Sequence, residues 1–109
     1  MRTPHDEALI DAMTRLSVAI GRIEQTRQTV TEAERTTHGL RRSLAERAEE
    51  RETSVQRQSL EVAERNVQSA EQHLQLAKTR LEEVEELARE LLTEVLTYYK
   101  VVGTPEEDR

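Results

Sequence analysis

The sequence predicts an all-α protein: a long antiparallel helical hairpin with coiled-coil packing that assembles further into a helical bundle. Three observations carry this reading. Phe, Trp and Cys are absent and only two Tyr occur among 109 residues, so the large rings that fill a globular core are missing. Hydrophobic and charged residues each make up 35%, a balance shared by disordered chains and by long helices with one buried stripe. The apolar residues are regularly spaced, which decides for the helix.

The first helix has a defined start. Thr3 is placed to cap it, Pro4 takes the first helical position where its missing N–H costs nothing, and Asp6 faces the free amides of the first turn. Leu9, Met13, Leu16, Ile20, Ile23 and Val30 then follow helical spacing, with Ala12, Ala19 and Ala33 beside them. Arg27 interrupts this stripe, and Thr37, Leu40, Leu44 and Ala48 continue it more weakly. The helix is expected over 4–50, with Thr36-Thr37-His38-Gly39 a candidate kink at 37–39.

The second helix, expected over 56–102, is more regular. Leu60, Ala63, Val67, Ala70, Leu74, Ala77, Leu81, Val84, Ala88, Leu91, Val95, Tyr98 and Val102 follow an unbroken three-and-four step, the signature of a coiled coil. Acid-before-base pairs at i,i+4, Asp11–Arg15, Glu61–Arg65 and Glu85–Arg89, add a few tenths of a kcal/mol each. Gly103 and Pro105 end the helix, leaving 103–109 as a tail.

Between the helices the apolar content thins to Ala45, Ala48 and Val55. Thr53 and Gln56 have capping-box spacing, and so do Ser43 and Glu46, so this motif alone does not place the turn. Apolar weight at 8–33 and 74–102, with a polar centre, favours a turn at 50–55. The alternatives are one continuous helix pairing in a parallel dimer and three helices broken at Gly39.

Taking Leu60 as heptad position a, Leu87, Leu92, Tyr99 and Val101 fall at flanking e and g positions and Leu96 one step beyond. Two helices need only a and d, so this surplus implies further helices. The candidate interface therefore comprises Leu87, Leu91, Leu92, Val95, Leu96, Tyr98, Tyr99 and Val102. A second candidate is a basic contact patch in the polar centre, Arg35, Arg41, Arg42, Arg47 and Arg51. No aromatic side chain stands near these arginines for base stacking, and Glu46, Glu49, Glu50 and Glu52 dilute their field, which argues against nucleic acid.

Charge points the same way. Residues 1–57 are neutral, and residues 58–109 carry the whole net charge of −6, a half that a duplex or an anionic bilayer would repel. The absence of Cys excludes disulfides and thiolate metal sites. His5, His38 and His73 are too scattered for a metal site, and Glu82–Glu86 and Glu90–Glu94 lack the Glu-x-x-His companion of a di-iron bundle. No glycine-rich phosphate loop, signal peptide or membrane-length apolar run occurs, so the default location is the cytoplasm of a bacterium or virus. The Arg excess over Lys, 14 to 2, reads as genomic base bias.

In length and format the chain resembles the small exported hairpin proteins of the early-secreted-antigen type. It reads Thr37-His38-Gly39 where that family has Trp-x-Gly at its bend, and Val102 and Gly103 stand four residues after Tyr98 and Tyr99 where its export signal has an acid. The functional expectation is a structural or adaptor protein, without enzymatic activity or cofactor, whose partner is itself (dimer or tetramer) or helices of another protein. A chaperone-like or regulatory binder of a secretion substrate or toxin is the alternative, and an architectural nucleic-acid binder the second.

Overall fold

A computed structural model describes residues 3–103, with side chains as far as residue 100. Helix α1 spans Pro4–Arg47 and helix α2 spans Ser54–Gly103, with no strand among the described residues. Arg15 near the start of α1 bonds Glu94 near the end of α2, and Arg41 near the end of α1 bonds Glu71 of α2, so the helices run antiparallel. The molecule is an all-α helical hairpin, which excludes both the continuous rod and the three-helix arrangement.

Both helices begin at reciprocal capping boxes. The Asp6 amide donates to Thr3 Oγ1 and the Thr3 amide to Asp6 Oδ2, each at 3.1 Å. At α2 the Gln56 amide donates to Thr53 Oγ1 and the Thr53 amide to Gln56 Oε1, each at 3.0 Å. Of the two boxes legible between the helices, Thr53–Gln56 is thus the one that starts a helix. Ser43 and Glu46 lie inside α1, which ends at Arg47, short of residue 50. The connection is residues 48–53, where Arg51 Nε donates to the Ala48 carbonyl at 2.8 Å.

Helix α1 passes through Thr37-His38-Gly39 without a break. Gly39 is exposed, has no positive φ, and a methyl group there would meet nothing within 4 Å. Its cost is the propensity penalty of about 1 kcal/mol relative to Ala, which a packed helix of this length absorbs.

The contacts cluster into two compact units, Met1–Gln25 with Glu82–Arg109 and Thr26–Leu81, called unit 1 and unit 2 below. In unit 1, Ala12, Ala19, Ala88 and Leu91 are buried, and Leu9, Leu16, Ile23, Val84, Val95 and Tyr98 are half-buried. Ala19, Ala88 and Leu91 form its centre, with Leu16 and Ile23 packed against them. His5 meets the Tyr98 ring edge-on at 5.2 Å between centroids, and its Nε2 lies 3.2 Å from the Tyr98 carbonyl.

In unit 2, Val30, Thr37, Leu60, Ala63 and Val67 are buried. Thr26, Ala33, Leu40, Leu44, Ala70, Leu74, Ala77 and Leu81 stand half-buried around them. Every described residue of the three-and-four series in α2 is therefore buried or half-buried.

The stripe on α1 differs from the sequence expectation. Met13 and Ile20 are each 52% exposed, while Ala12 and Ala19 are buried. Leu9, Leu16 and Ile23 repeat at seven residues, and the alanines fall on the line between them. Met13 and Ile20 stand about 100° further round the helix and miss it. Nor does Arg27 interrupt the stripe, because Thr26 occupies the seam position and is half-buried.

The designated i,i+4 pairs are met in part. Arg15 bonds Asp11 at 3.0 Å, but Arg89 turns to Glu86 at 2.9 Å, and the Arg65 Nε reaches the Glu61 carbonyl rather than its carboxylate. On these exposed surfaces the alternatives lie within tenths of a kcal/mol of one another, and local rotamers choose.

Thr37 is the one buried polar residue among those described, 1% exposed, and its Oγ1 has no hydrogen-bond partner. Thr14, Thr31, Thr93 and Thr97, all exposed, donate instead to the carbonyl four residues back. A buried hydroxyl without a partner costs about 1–3 kcal/mol. Thr37→Val, which keeps the shape and removes the polar atom, is expected to raise stability by about 1 kcal/mol, seen as a higher urea midpoint at unchanged m. Thr53→Ala, which deletes the α2 cap, is expected to lower it by about 1 kcal/mol in the same measurement.

Candidate helix-docking surface

The candidate interface residues of α2 divide into two groups. Leu91 is buried in the seam of unit 1, and Val95 and Tyr98 are half-buried there, so these three are largely spent on the chain's own packing. Leu87, Leu92, Leu96 and Tyr99 are exposed, Tyr99 by 64%. The side chain of Val102 lies outside the described residues.

Helix α1 adds exposed apolar residues that the α2 pattern does not reveal, namely Ile10, Met13, Val18 and Ile20. A signal for them exists in the sequence. Met13 and Ile20 form a second seven-residue line beside Leu9, Leu16 and Ile23, and one helix partner cannot cover both.

The Arg15–Glu94 bond fixes which flanks of the two helices share a side. It measures 3.0 Å, and Arg15 also bonds Asp11 at 3.0 Å. Hydrogen bonding to Glu94 raises the Arg15 pKa above its ordinary value, with the charges of Glu94 and Asp11 adding to the effect. At 100° per residue, Asp11, Arg15 and Arg22 of α1 lie on this side of the seam, together with Leu87, Glu90 and Glu94 of α2. Met13 and Ile20 lie on the opposite side, and so do Leu92, Leu96 and Tyr99. Unit 1 therefore has an ionic side and a mainly apolar side, on which Glu85 and Arg89 also stand, one heptad before Leu92 and Leu96.

The outer face of α1, turned away from the seam, has an open groove of about 380 Å³ lined by Ile10, Met13, Thr14, Ser17 and Val18, of which Val18 stands on the ionic flank one heptad after Asp11. Its floor is small and uncharged, and bulky apolar groups flank it. Five residues dominate the apolar side of the seam: Met13, Ile20, Leu92, Leu96 and Tyr99, each 46–64% exposed. Half-exposed side chains of this size leave roughly 600 Å² open, at the upper end of what a monomer ordinarily presents in one patch.

Four of the five arginines of the second candidate patch are bonded within unit 2. Arg41 Nε donates to Glu71 Oε1 at 3.1 Å, Arg42 Nη2 lies 3.3 Å from His38 Nε2, and Arg47 Nη1 donates to Ser59 Oγ at 3.5 Å. Arg51 donates to a backbone carbonyl, and Arg35 lines an open groove with Glu34, His38, Arg41 and Lys78. Acids are thus mixed into this basic surface. His73 lines a different groove with Thr36, Asn66 and Ser69, apart from the one that His38 lines.

Among the described residues there is no group of three His, Cys, Asp or Glu side chains placed to hold a metal ion. No described helix is long and apolar enough to cross a membrane.

The division of α2 into seam and surface has a direct consequence. Leu91→Asp buries a carboxylate beside Ala19 and Ala88, and is expected to cost about 3–5 kcal/mol and much of the helical circular dichroism. Leu92→Asp, one residue on, is expected to change stability by less than about 1 kcal/mol. The chain matches no protein-family model, no curated protein and no solved structure.

Proposed function

We propose that this protein is a non-enzymatic structural or adaptor component that works by helix–helix contact through the apolar side of unit 1. The observation that carries the reading is the exposure of Met13, Ile20, Leu92, Leu96 and Tyr99 on one side of a seam already filled by other residues. These side chains do not hold the hairpin together, and leaving them in water is unfavourable by about 25 cal/mol per Å² of apolar surface. A helix laid along them would remove that cost and complete a wider bundle.

Tyr99 suits such a contact, since it joins a large ring to a polar handle. The ionic side of unit 1 and the charged groove around Arg35 in unit 2 offer less, because their charged groups would have to be desolvated.

Site-specific photocrosslinking in cells tests the reading. A photoreactive residue at position 96 or 99 is expected to give discrete products that mass spectrometry maps to a helical segment, of this chain or another. The same probe at Gln75 in unit 2 is expected to give none. Products at position 75, with none at 96 or 99, would remove the apolar side of unit 1 from consideration.

A further inference from the structure

The groove of unit 2 that Arg35 lines measures about 500 Å³ and opens to solvent. It brings Arg35 and Arg41 of α1 to Lys78 of α2, so cations from both helices meet in one cleft, with Glu34 the acid in its wall. Their commitments differ. Arg41 Nε donates to Glu71 Oε1 at 3.1 Å, whereas neither Arg35 nor Lys78 makes an ion pair among the described residues. Both are exposed and keep their donors for a ligand.

The wall of the same groove includes Thr37, 1% exposed, whose Oγ1 has no hydrogen-bond partner. Thr31, also in the wall, commits its hydroxyl to the Arg27 carbonyl at 3.0 Å. A buried hydroxyl without an acceptor works against the fold, and an acceptor brought to it removes that cost. His38 adds a further donor. Arg42 Nη2, 3.3 Å from His38 Nε2, can only donate, so Nε2 accepts and Nδ1 carries the ring proton.

We infer that this groove binds a phosphate-type oxyanion, free or as a monoester, held by Arg35 and Lys78 with Thr37 as the inner donor. A guanidinium fork, a rotatable ammonium and a hydroxyl offer donors from several directions, which suits the several acceptor oxygens of a tetrahedral anion. Leu74, half-buried in the same wall, is an apolar neighbour for the organic part of an ester. Thr37 Oγ1 is closed to water as the helices stand, so pairing it takes a small turn of the side chain. Glu34 opposes the anion and keeps the affinity modest. The site is independent of the apolar side of unit 1, and either can fail without the other.

Titration of the purified, isotope-labelled full chain with inorganic phosphate, followed by NMR at ionic strength held constant with chloride, tests the site. Saturating shifts are expected at the amides of residues 34–41 and 74–78, with a dissociation constant of about a millimolar or below. Arg35→Gln and Lys78→Gln are each expected to weaken binding about tenfold, and Glu34→Gln to tighten it. Arg80→Gln, the same change of charge at an exposed position of unit 2 outside the groove, should leave it unchanged. Thr37→Val is expected to weaken binding severalfold while raising stability, a combination that misfolding cannot produce, and Thr37→Ser to restore it.

Shifts that do not saturate, or that chloride alone reproduces, overturn the inference, because they report counterion screening. So does an Arg80→Gln variant that loses as much as Arg35→Gln, or a Thr37→Val variant that binds as well as the parent chain. Phenyl phosphate separates the two sources of the anion. Tighter binding than inorganic phosphate supports the site as one for monoesters, and equal binding supports it as one for the free anion.

Discussion

The width of the seam between the two helices governs most of what this molecule presents to its surroundings. An antiparallel helix pair buries one stripe from each member, and here alanine fills alternate positions of the buried centre in unit 1. Ala12 and Ala19 of α1 are essentially inaccessible, and Ala88 of α2 lies beside Leu91. A single facing helix covers only one stripe, so residues 60–80° off its centre line remain largely exposed. Leu9, Leu16, Ile23 and Leu91 are held inside, while Met13, Ile20, Leu92, Leu96 and Tyr99, no less apolar, are left outside. The candidate docking surface is thus a product of the same packing that closes the hairpin.

The two sides of unit 1 diverge from that common seam. Arg15 bridges to Glu94 across the helices and to Asp11 within α1, in bonds that are exposed and contribute little to stability. Their value lies in orientation, because an ion pair spanning the seam disfavours rotation of either helix about its axis. That side is occupied by ions, and the other holds Met13, Ile20, Leu92, Leu96 and Tyr99, so an approaching helix meets two chemically distinct faces. Unit 2 lacks this polarity. Its grooves mix Glu34 with Arg35 and Lys78 on one flank, and set Thr36, Asn66 and Ser69 on the other.

Thr37 shows how little margin the seam has. A hydroxyl buried without a partner works against the fold, yet the helix runs through it and through Gly39 unbroken. Local penalties of about 1–3 kcal/mol at Thr37 and about 1 kcal/mol at Gly39 are outweighed because continuing the helix preserves the pairing of every seam residue beyond them. The turn therefore falls where apolar residues give out and a capping box is ready, after Arg47 and before Ser54.

The sequence by itself determined the all-α class, the cap of α1 and, through residue 98, every seam residue of α2; it favoured the antiparallel hairpin over a continuous rod and three helices, and offered Thr53–Gln56 as one of two capping boxes. Periodicity and capping chemistry are local, and α2 repeats its pattern without exception, so no knowledge of a partner was needed. It also showed apolar surplus in the C-terminal third, through the e and g positions of the heptad. What it left open was which apolar line of α1 would be buried, since Leu9–Leu16–Ile23 and Met13–Ile20 are both seven-residue repeats and Thr26 does not look like a core residue. Only the tertiary structure decided this, because the choice depends on which rotation of α1 fits a facing stripe of alternating large and small residues while bringing Arg15 to Glu94. That one rotation left Leu91, Val95 and Tyr98 of the candidate interface in the seam, and brought Met13 and Ile20 out of the expected core to join Leu92, Leu96 and Tyr99 on one side of it.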